Sequence, residues 1–283
     1  MPIGGFGEIA EQLRRSTVQI SSGRRGQGSG IILSPDGTIV TNAHVATSGQ
    51  LEVQLWDGTR LPAELQGRDE GRDLAILHVV KSGLPAAALA NSDRLRVGEL
   101  VIAIGNPFGF IGALTTGVIH AIGPVGRLGP FKWVQADVQL APGNSGGPLA
   151  NARGEVVGIN TTIAGGVGLA VPSNSVTRLL KRGGAPAPLG VVVRGVRIAV
   201  NGIARLGLAI LEVAKNSAAE HASLLAGDIV IGASDRLFES MEDFEQALDG
   251  AGERLVRLQF VRGDRSSIRT VAVRLGVPSL VAE

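Results

Sequence analysis

The chain holds 283 residues, 44% hydrophobic and 18% charged, enough for two domains with a sizeable core and unlike a disordered chain. Lys and Arg number 27 against 25 Asp and Glu, and no basic run is interleaved with aromatics, which excludes a nucleic-acid surface. Cysteine is absent, which removes disulfides, a thiol nucleophile and Cys-ligated metals.

The opening "MPIGGFGEIAEQLRRS" lacks an apolar stretch of signal-peptide length, and no run approaches about 18 uncharged apolar residues. On the chain as written the expectation is a cytoplasmic protein without a membrane span. Residues 8–15 fit a short helix. Brief β-like runs follow: "GIILS", "TIVTN", "LEVQLW", "DLAILHVV", "ELVIAIG", "LTTGVIHAI", "FKWVQAD" and "EVVGINTT", with Gly, Pro, Asn and Asp between them. Many short strands with regular turn signals predict a barrel or sandwich. The glycine-rich "GRRGQGSG" lacks the Gly-Lys-Ser/Thr of a phosphate loop and reads as a connection between two strands. "PSNSVTRLLKRGG" reads as a helix capped by Ser173 or Asn174 and stopped at Gly183.

"RGGAPAP" is a linker by composition, so domains are drawn at 1–183 and 190–277, joined by 184–189. The second domain begins with strand-like "LGVVVRGV" and "LGLAILEV", then a helical stretch near "SAAEHASLL" and the strand "GDIVIG". A helix follows from Ser240, where Ser240 and Asp243 form a capping-box signal and Met241, Phe244, Ala247 and Leu248 share a side. "RLVRLQFVR" and "SIRTVAVRL" close the domain as strands.

The chemistry concentrates in "APGNSGGPL", residues 141–149. A serine hydroxyl is a weak nucleophile that needs a base for its proton and donors for the oxyanion it creates. Gly143 and Ser145 can offer two backbone N–H groups to one hole, and Gly146 and Gly147 permit a tight turn behind the serine. A base and its orienting acid are then expected. His44 ends "GIILSPDGTIVTNAHV", a hairpin followed by a short turn of helix, whereas His78 and His120 lie within strand-like runs and His221 lies in the second domain. Asp73 opens the apolar run "DLAILHVV" at a strand mouth; Asp69 reads as a solvated turn residue.

The order His44, Asp73, Ser145 is that of the chymotrypsin-type double barrel. With "TNAHV", "DLAIL", "GNPFG" and "GNSGGPL" in succession, then a second small domain, the chain resembles the HtrA/Deg family of serine proteases over nearly its whole length. The resemblance implies a mostly β fold: a chymotrypsin-like double six-stranded β-barrel followed by an α+β PDZ domain. It implies His44 as general base, Asp73 as its orienting carboxylate and Ser145 as nucleophile, with Gly143, Asn144 and Ser145 in the oxyanion loop and Asp137 as structural support. The family is often periplasmic or extracytoplasmic. It forms trimers through N-terminal contacts, for which Phe6 or Ile9 would serve. The short loop after the first strand, the "GASD" after the "GDIV" strand and the "PLGV" without an aromatic before Gly190 depart from the family pattern.

In this fold the base of the primary pocket lies six positions before the nucleophile, at Gln139, with walls from Thr161, Thr162 and Ile163 and from Gly168, Leu169 and Ala170. No acid lies in these segments, so cleavage after small or medium aliphatic residues is expected. In the second domain Leu189, Gly190 and Val191 are the expected nest for a peptide carboxylate. The function expected is ATP-independent hydrolysis of peptide bonds in unfolded or exposed protein segments, without cofactor or metal, with peptide C-termini held at the PDZ domain. The rival is a catalytically degenerate peptide-binding or chaperone-like module. An unrelated esterase fits less well, because the elements around Ser145 read as β rather than as a strand–helix elbow.

Overall fold

The structure is a computed structural model describing residues 6–23, 26–47, 49–107, 110, 112–125, 128, 130–181, 189–200, 202–249 and 255–275. It divides into two compact units, residues 1–122 with 133–185, and residues 123–132 with 186–283. Most of the expected linker lies outside the described residues.

The first unit opens with helix α1 (Phe6–Ser16), which runs directly into the first barrel. That barrel comprises β1 (Thr17–Ser22), β2 (Gly26–Ile32), β3 (Thr38–Thr41), β4 (Leu51–Gln54), β5 (Arg60–Asp69) and β6 (Leu74–Val79). It closes in the order β1-β2-β3-β6-β5-β4. The second barrel comprises β7 (Leu100–Gly105), β8 (Ala113–Pro124), β9 (Lys132–Ala136), β10 (Pro148–Asn151), β11 (Val156–Ala164) and β12 (Val167–Pro172), closed as β10-β11-β12-β9-β8-β7. Alternation of side chains along each strand fills the barrels. Val18, Ile20, Ile39, Val53 and Leu77 fill the first, and Val101, Ile119, Val134, Leu149 and Val157 the second. Leu13 of α1 is buried against Ile102, Ile104 and Ala150, so the N-terminal helix ties the second barrel to the strand that begins the first. Ile9 joins that packing, while Phe6 is half exposed.

Helix α2 (Ser173–Lys181) ends the described part of this unit. Its start departs from the expected cap. The Ser173 hydroxyl donates to the Ala90 carbonyl at 2.7 Å, and Ser92 Oγ accepts the Asn174 N–H at 3.1 Å. The first turn is therefore anchored to the 3₁₀ turn at Ser92–Arg94 instead of capping itself.

The second unit holds β13 (Val191–Val200), β14 (Ile203–Val213), α3 (Ala218–His221), β15 (Ile229–Ala233), β16 (Arg236–Leu237), α4 (Met241–Asp249), β17 (Leu255–Arg262) and β18 (Asp264–Arg274). The sheet runs β13-β14-β15-β17-β18, with β16 beside β15, so β13 is an edge. The capping box forms: Asp243 Oδ2 accepts the Ser240 and Glu239 N–H groups, each at 2.9 Å, and Ser240 Oγ accepts the Asp243 N–H at 3.4 Å. Met241, Phe244 and Leu248 all lie in the core with Leu208, Ile210 and Phe260. Residues 130–132, read from sequence as part of the first domain, pack in this unit. Pro130 O accepts the Met241 N–H at 2.9 Å, Phe131 packs on the core, and Glu242 Oε2 accepts the Lys132 N–H at 2.9 Å.

Candidate active site

His44 follows β3 in a tight turn in which the Val45 and Ala46 N–H groups both donate to Asn42 O. Its ring Nδ1 lies 2.7 Å from Asp73 Oδ2, and its backbone N–H donates to Asp73 Oδ1 at 2.9 Å. A carboxylate only accepts, so the Nδ1 position carries the hydrogen and Nε2 is left as the acceptor. Asp73 sits at the mouth of β6 with φ +56, the left-handed region in which Asp and Asn are the best tolerated non-glycine residues. Asp69 is otherwise engaged: its carboxylate accepts from Arg72 N and Arg72 Nη1, both at 3.1 Å.

The second barrel supplies Ser145, on the loop between β9 and β10. Its hydroxyl donates to the Thr161 carbonyl at 2.8 Å. Among the described residues no hydrogen bond joins it to His44. Gly143 has φ +105, and a Cβ there would meet Asn106 O at 2.6 Å and Pro107 Cα at 2.8 Å, so only glycine lets the loop pass. Asn144 is turned inward. Its N–H donates to Ala141 O at 3.0 Å, and its side chain is buried against Gly105. Of the three residues expected in the oxyanion loop, only Gly143 and Ser145 keep an N–H without a protein acceptor among the described residues.

Beside this loop lies a cleft of about 740 Å³, lined by Leu114, Val138, Gln139, Leu140, Ile163 and Gly166, and also by Asp137 and Asn144. Of the residues expected in the pocket, Gln139 and Ile163 line this cleft. Leu169 and Ala170 are both buried, Ala170 in the barrel core, Gly168 abuts Val138 and Leu140, and Thr161 is buried beneath the nucleophile. Asp137 is an exposed acid on the cleft wall. His78 lies within β6, His120 is exposed on β8, and His221 Nδ1 lies 2.7 Å from Ser217 O in α3.

Sequence reasoning passed over Asn42. It is fully buried, and its Nδ2 donates to both Asp73 O at 2.8 Å and Thr161 Oγ1 at 2.9 Å. One amide therefore links the acid's loop to the strand under the nucleophile. Its one mark in the sequence is its place in "TNAHV", which says nothing of partners 31 and 119 positions away.

Two closed barrels with a His–Asp pair on one and a glycine-bracketed serine on the other define the fold and site pattern of the trypsin-like serine proteases. The model of the trypsin-like peptidase domain matches residues 28–159, and that of the PDZ domain residues 210–262. The putative serine protease HhoA of Synechocystis is 34% identical over 275 residues, covering 87% of this chain and 70% of that protein. The probable periplasmic serine endoprotease DegP-like of Chlamydia pneumoniae is 37% identical over 240 residues, covering 78% of this chain. The chain spans about half, 49%, of that relative's length. The solved HtrA-type protease AlgW with a decapeptide superposes with a TM-score of 0.69 at 26% identity, covering 97% of this chain and 100% of that one. The chain belongs to the HtrA/Deg family of serine proteases. The expectation of a cytoplasmic protein is corrected by the same relatives: the chlamydial one is named periplasmic, which points to an extracytoplasmic location. The composition of the opening residues carried that expectation, and it does not bear on the compartment.

Proposed function

We propose that the chain is an ATP-independent serine endopeptidase acting on unfolded or exposed protein segments. The observation that carries this is the 2.7 Å His44–Asp73 contact on one barrel, set against a serine loop on the other with two N–H groups that find no acceptor among the described residues. Ser145 Oγ leaves the Thr161 carbonyl and turns to His44 Nε2, which takes its proton as the oxygen attacks the peptide carbonyl. Asp73 holds the ring and offsets the charge it gains. The carbonyl oxygen becomes an oxyanion facing the Gly143 and Ser145 N–H groups. His44 then gives its proton to the departing amine, leaving an acyl-Ser145 that water hydrolyses by the same route.

Leu114, Val138, Leu140 and Ile163 give the cleft apolar walls, which favour aliphatic side chains before the cleaved bond. Such walls discriminate by only about 1–3 kcal/mol per methylene, so the preference is graded. The PDZ unit offers β13 as an edge for peptides ending in a hydrophobic residue, with the carboxylate at Leu189, Gly190 and Val191. Support comes from the AlgW structures, which are described as holding a decapeptide or a tripeptide.

The test is a fluorophosphonate probe with sequencing of casein cleavage products. Wild type should label and cleave after aliphatic residues, and Ser145→Ala should do neither. A folded wild type that never labels would favour the peptide-binding module. Cleavage chiefly after Lys or Arg would make Asp137 the specificity determinant and overturn the aliphatic assignment.

A further inference from the structure

We infer that Ser29, on β2 of the first barrel, is a positioning residue that sets the oxyanion site carried by the second barrel. The inference rests on the protease reading above. Ser29 is fully buried, so whatever its polar groups bind is fixed by the fold and not by water. Its hydroxyl donates to the Gly143 carbonyl at 2.7 Å and accepts the Asn106 N–H at 2.8 Å. The direction is unambiguous, because a backbone N–H only donates and a carbonyl only accepts. Its own N–H donates to the Ser145 carbonyl at 2.7 Å, and its carbonyl accepts from Thr41 Oγ1 at 2.6 Å. One residue thus holds the carbonyls on both sides of Asn144.

The backbone accounting of the loop shows what this does. Gly143 O and Ser145 O are drawn inward to Ser29. Asn144 N donates to Ala141 O, and Asn144 O accepts the Gly147 N–H, each at 3.0 Å. Among the described residues, every polar backbone group from 143 to 145 then has a partner within the protein, except the N–H groups of Gly143 and Ser145. These are the two that an oxyanion requires. Removing the Ser29 hydroxyl leaves the Gly143 carbonyl and the Asn106 N–H both unpaired and buried. The 143–144 peptide then turns to find another partner and carries the Gly143 N–H out of register. Gly28 makes the approach possible: a Cβ there would sit 2.6 Å from Val45 and 3.0 Å from Ser145 O.

The test compares the full-length wild type, Ser29→Ala and Ser29→Cys, each first shown to be folded. A peptide boronate, which forms a tetrahedral adduct with the nucleophile, reports on the oxyanion site. The same peptide as an unreactive amide reports on the cleft. In Ser29→Ala, kcat and boronate affinity should fall together by roughly tenfold to a hundredfold, somewhat less than loss of a donor itself. KM and amide affinity should stay within about twofold. Ser29→Cys, which keeps a weak donor, should fall between. Unchanged boronate affinity in Ser29→Ala overturns the inference, and so does an equal loss of amide affinity, which marks general damage to the cleft. If Ser29→Ala does not fold, Ser29→Cys decides by the same two readings. Failure of the wild type to react with boronate or fluorophosphonate has a different signature and removes the protease reading itself.

Discussion

Asp73 does two jobs that a substitution can separate. Its carboxylate engages both the ring and the backbone N–H of His44, and its own backbone sits at φ +56. Asp73→Asn keeps a side chain that tolerates the left-handed conformation and can still accept a hydrogen bond, but it no longer offsets an imidazolium. Asp73→Ala loses both the acceptor and the conformational tolerance, which costs about 1–2 kcal/mol in that region. Both variants should lose nearly all peptidase activity, in Asp73→Asn by up to about four orders of magnitude. Urea denaturation should place Asp73→Asn close to wild type and Asp73→Ala lower by roughly that strain. Equal stability of the two variants would show that the turn is not under the constraint its φ indicates. At this scale the sequence was most legible. His44, Asp73 and Ser145 could be read from motif and order, because each sits where a turn meets a strand. Asn42 and Ser29 could not, because their importance lies in contacts across 119 and 114 positions.

Elements announced themselves in proportion to how apolar they are. The continuous runs of β6 and β7 were plain, whereas β5, β10 and β12 escaped notice as strands. β5 carries Pro62 and is exposed or half-buried throughout, and β10 has only four residues. The clearest difference is the stretch "GRRGQGSG", which reads as a connection but becomes β2 from Gly26 onward. Gly23 does turn, at φ +58, but Gly28 and Gly30 lie in the strand, where a Cβ would strike Val45 and Ser145 O at the one and Ile20 and Ile39 at the other. Helix α4 was legible through its cap, and the cap makes a pH prediction. Burial raises the Asp243 pKa, but the Glu239 N–H, the Lys132 charge and Ser240 outweigh it, so the net shift is below the ordinary 3.8. A depressed carboxylate contributes stability that is present above its unfolded value and is lost as pH falls through the folded one. Asp243→Ala should therefore destabilise the second unit by about 1 kcal/mol at neutral pH, a modest figure because the group is partly exposed. The gap from wild type should hold down to about pH 4 and close below the ordinary value of 3.8. Denaturation of both proteins across that range decides it; a gap independent of pH would mean that the carboxylate charge is not what caps the helix.

For the whole molecule, Gly and Pro are what suggest a division at 184–189, whereas nothing in the sequence suggests the membership of residues 123–132 in the second unit, since continuity assigns them to the strands on either side. Their packing bears on what the PDZ unit can hold. A peptide whose carboxylate lies at Leu189, Gly190 and Val191 runs antiparallel along the free edge of β13, between that strand and α4. Val191 and Val193 turn partly into the core, and Gly195 follows on the same face. There a Cβ would strike the Pro130 ring at 2.8 Å, and Pro130 O takes the first N–H of α4. Pro130 thus stands against β13 at Gly195, and the stretch of strand ahead of it runs from Val191 to Arg194. Only about four terminal residues of a peptide can pair before meeting Pro130, so added length should contribute little. The Ser145→Ala chain, which cannot cleave its ligand, is to be titrated with tetrapeptides and decapeptides sharing one hydrophobic C-terminus, each as free acid and as amide. The free acids should bind with affinities within about threefold of each other, and amidation should weaken both by tenfold or more, since hydrogen bonds to a charged group contribute about 1.5–3 kcal/mol each. A decapeptide that binds far more tightly than its own last four residues would show that Pro130 yields to the ligand. Indifference to amidation would move the carboxylate away from Gly190 altogether.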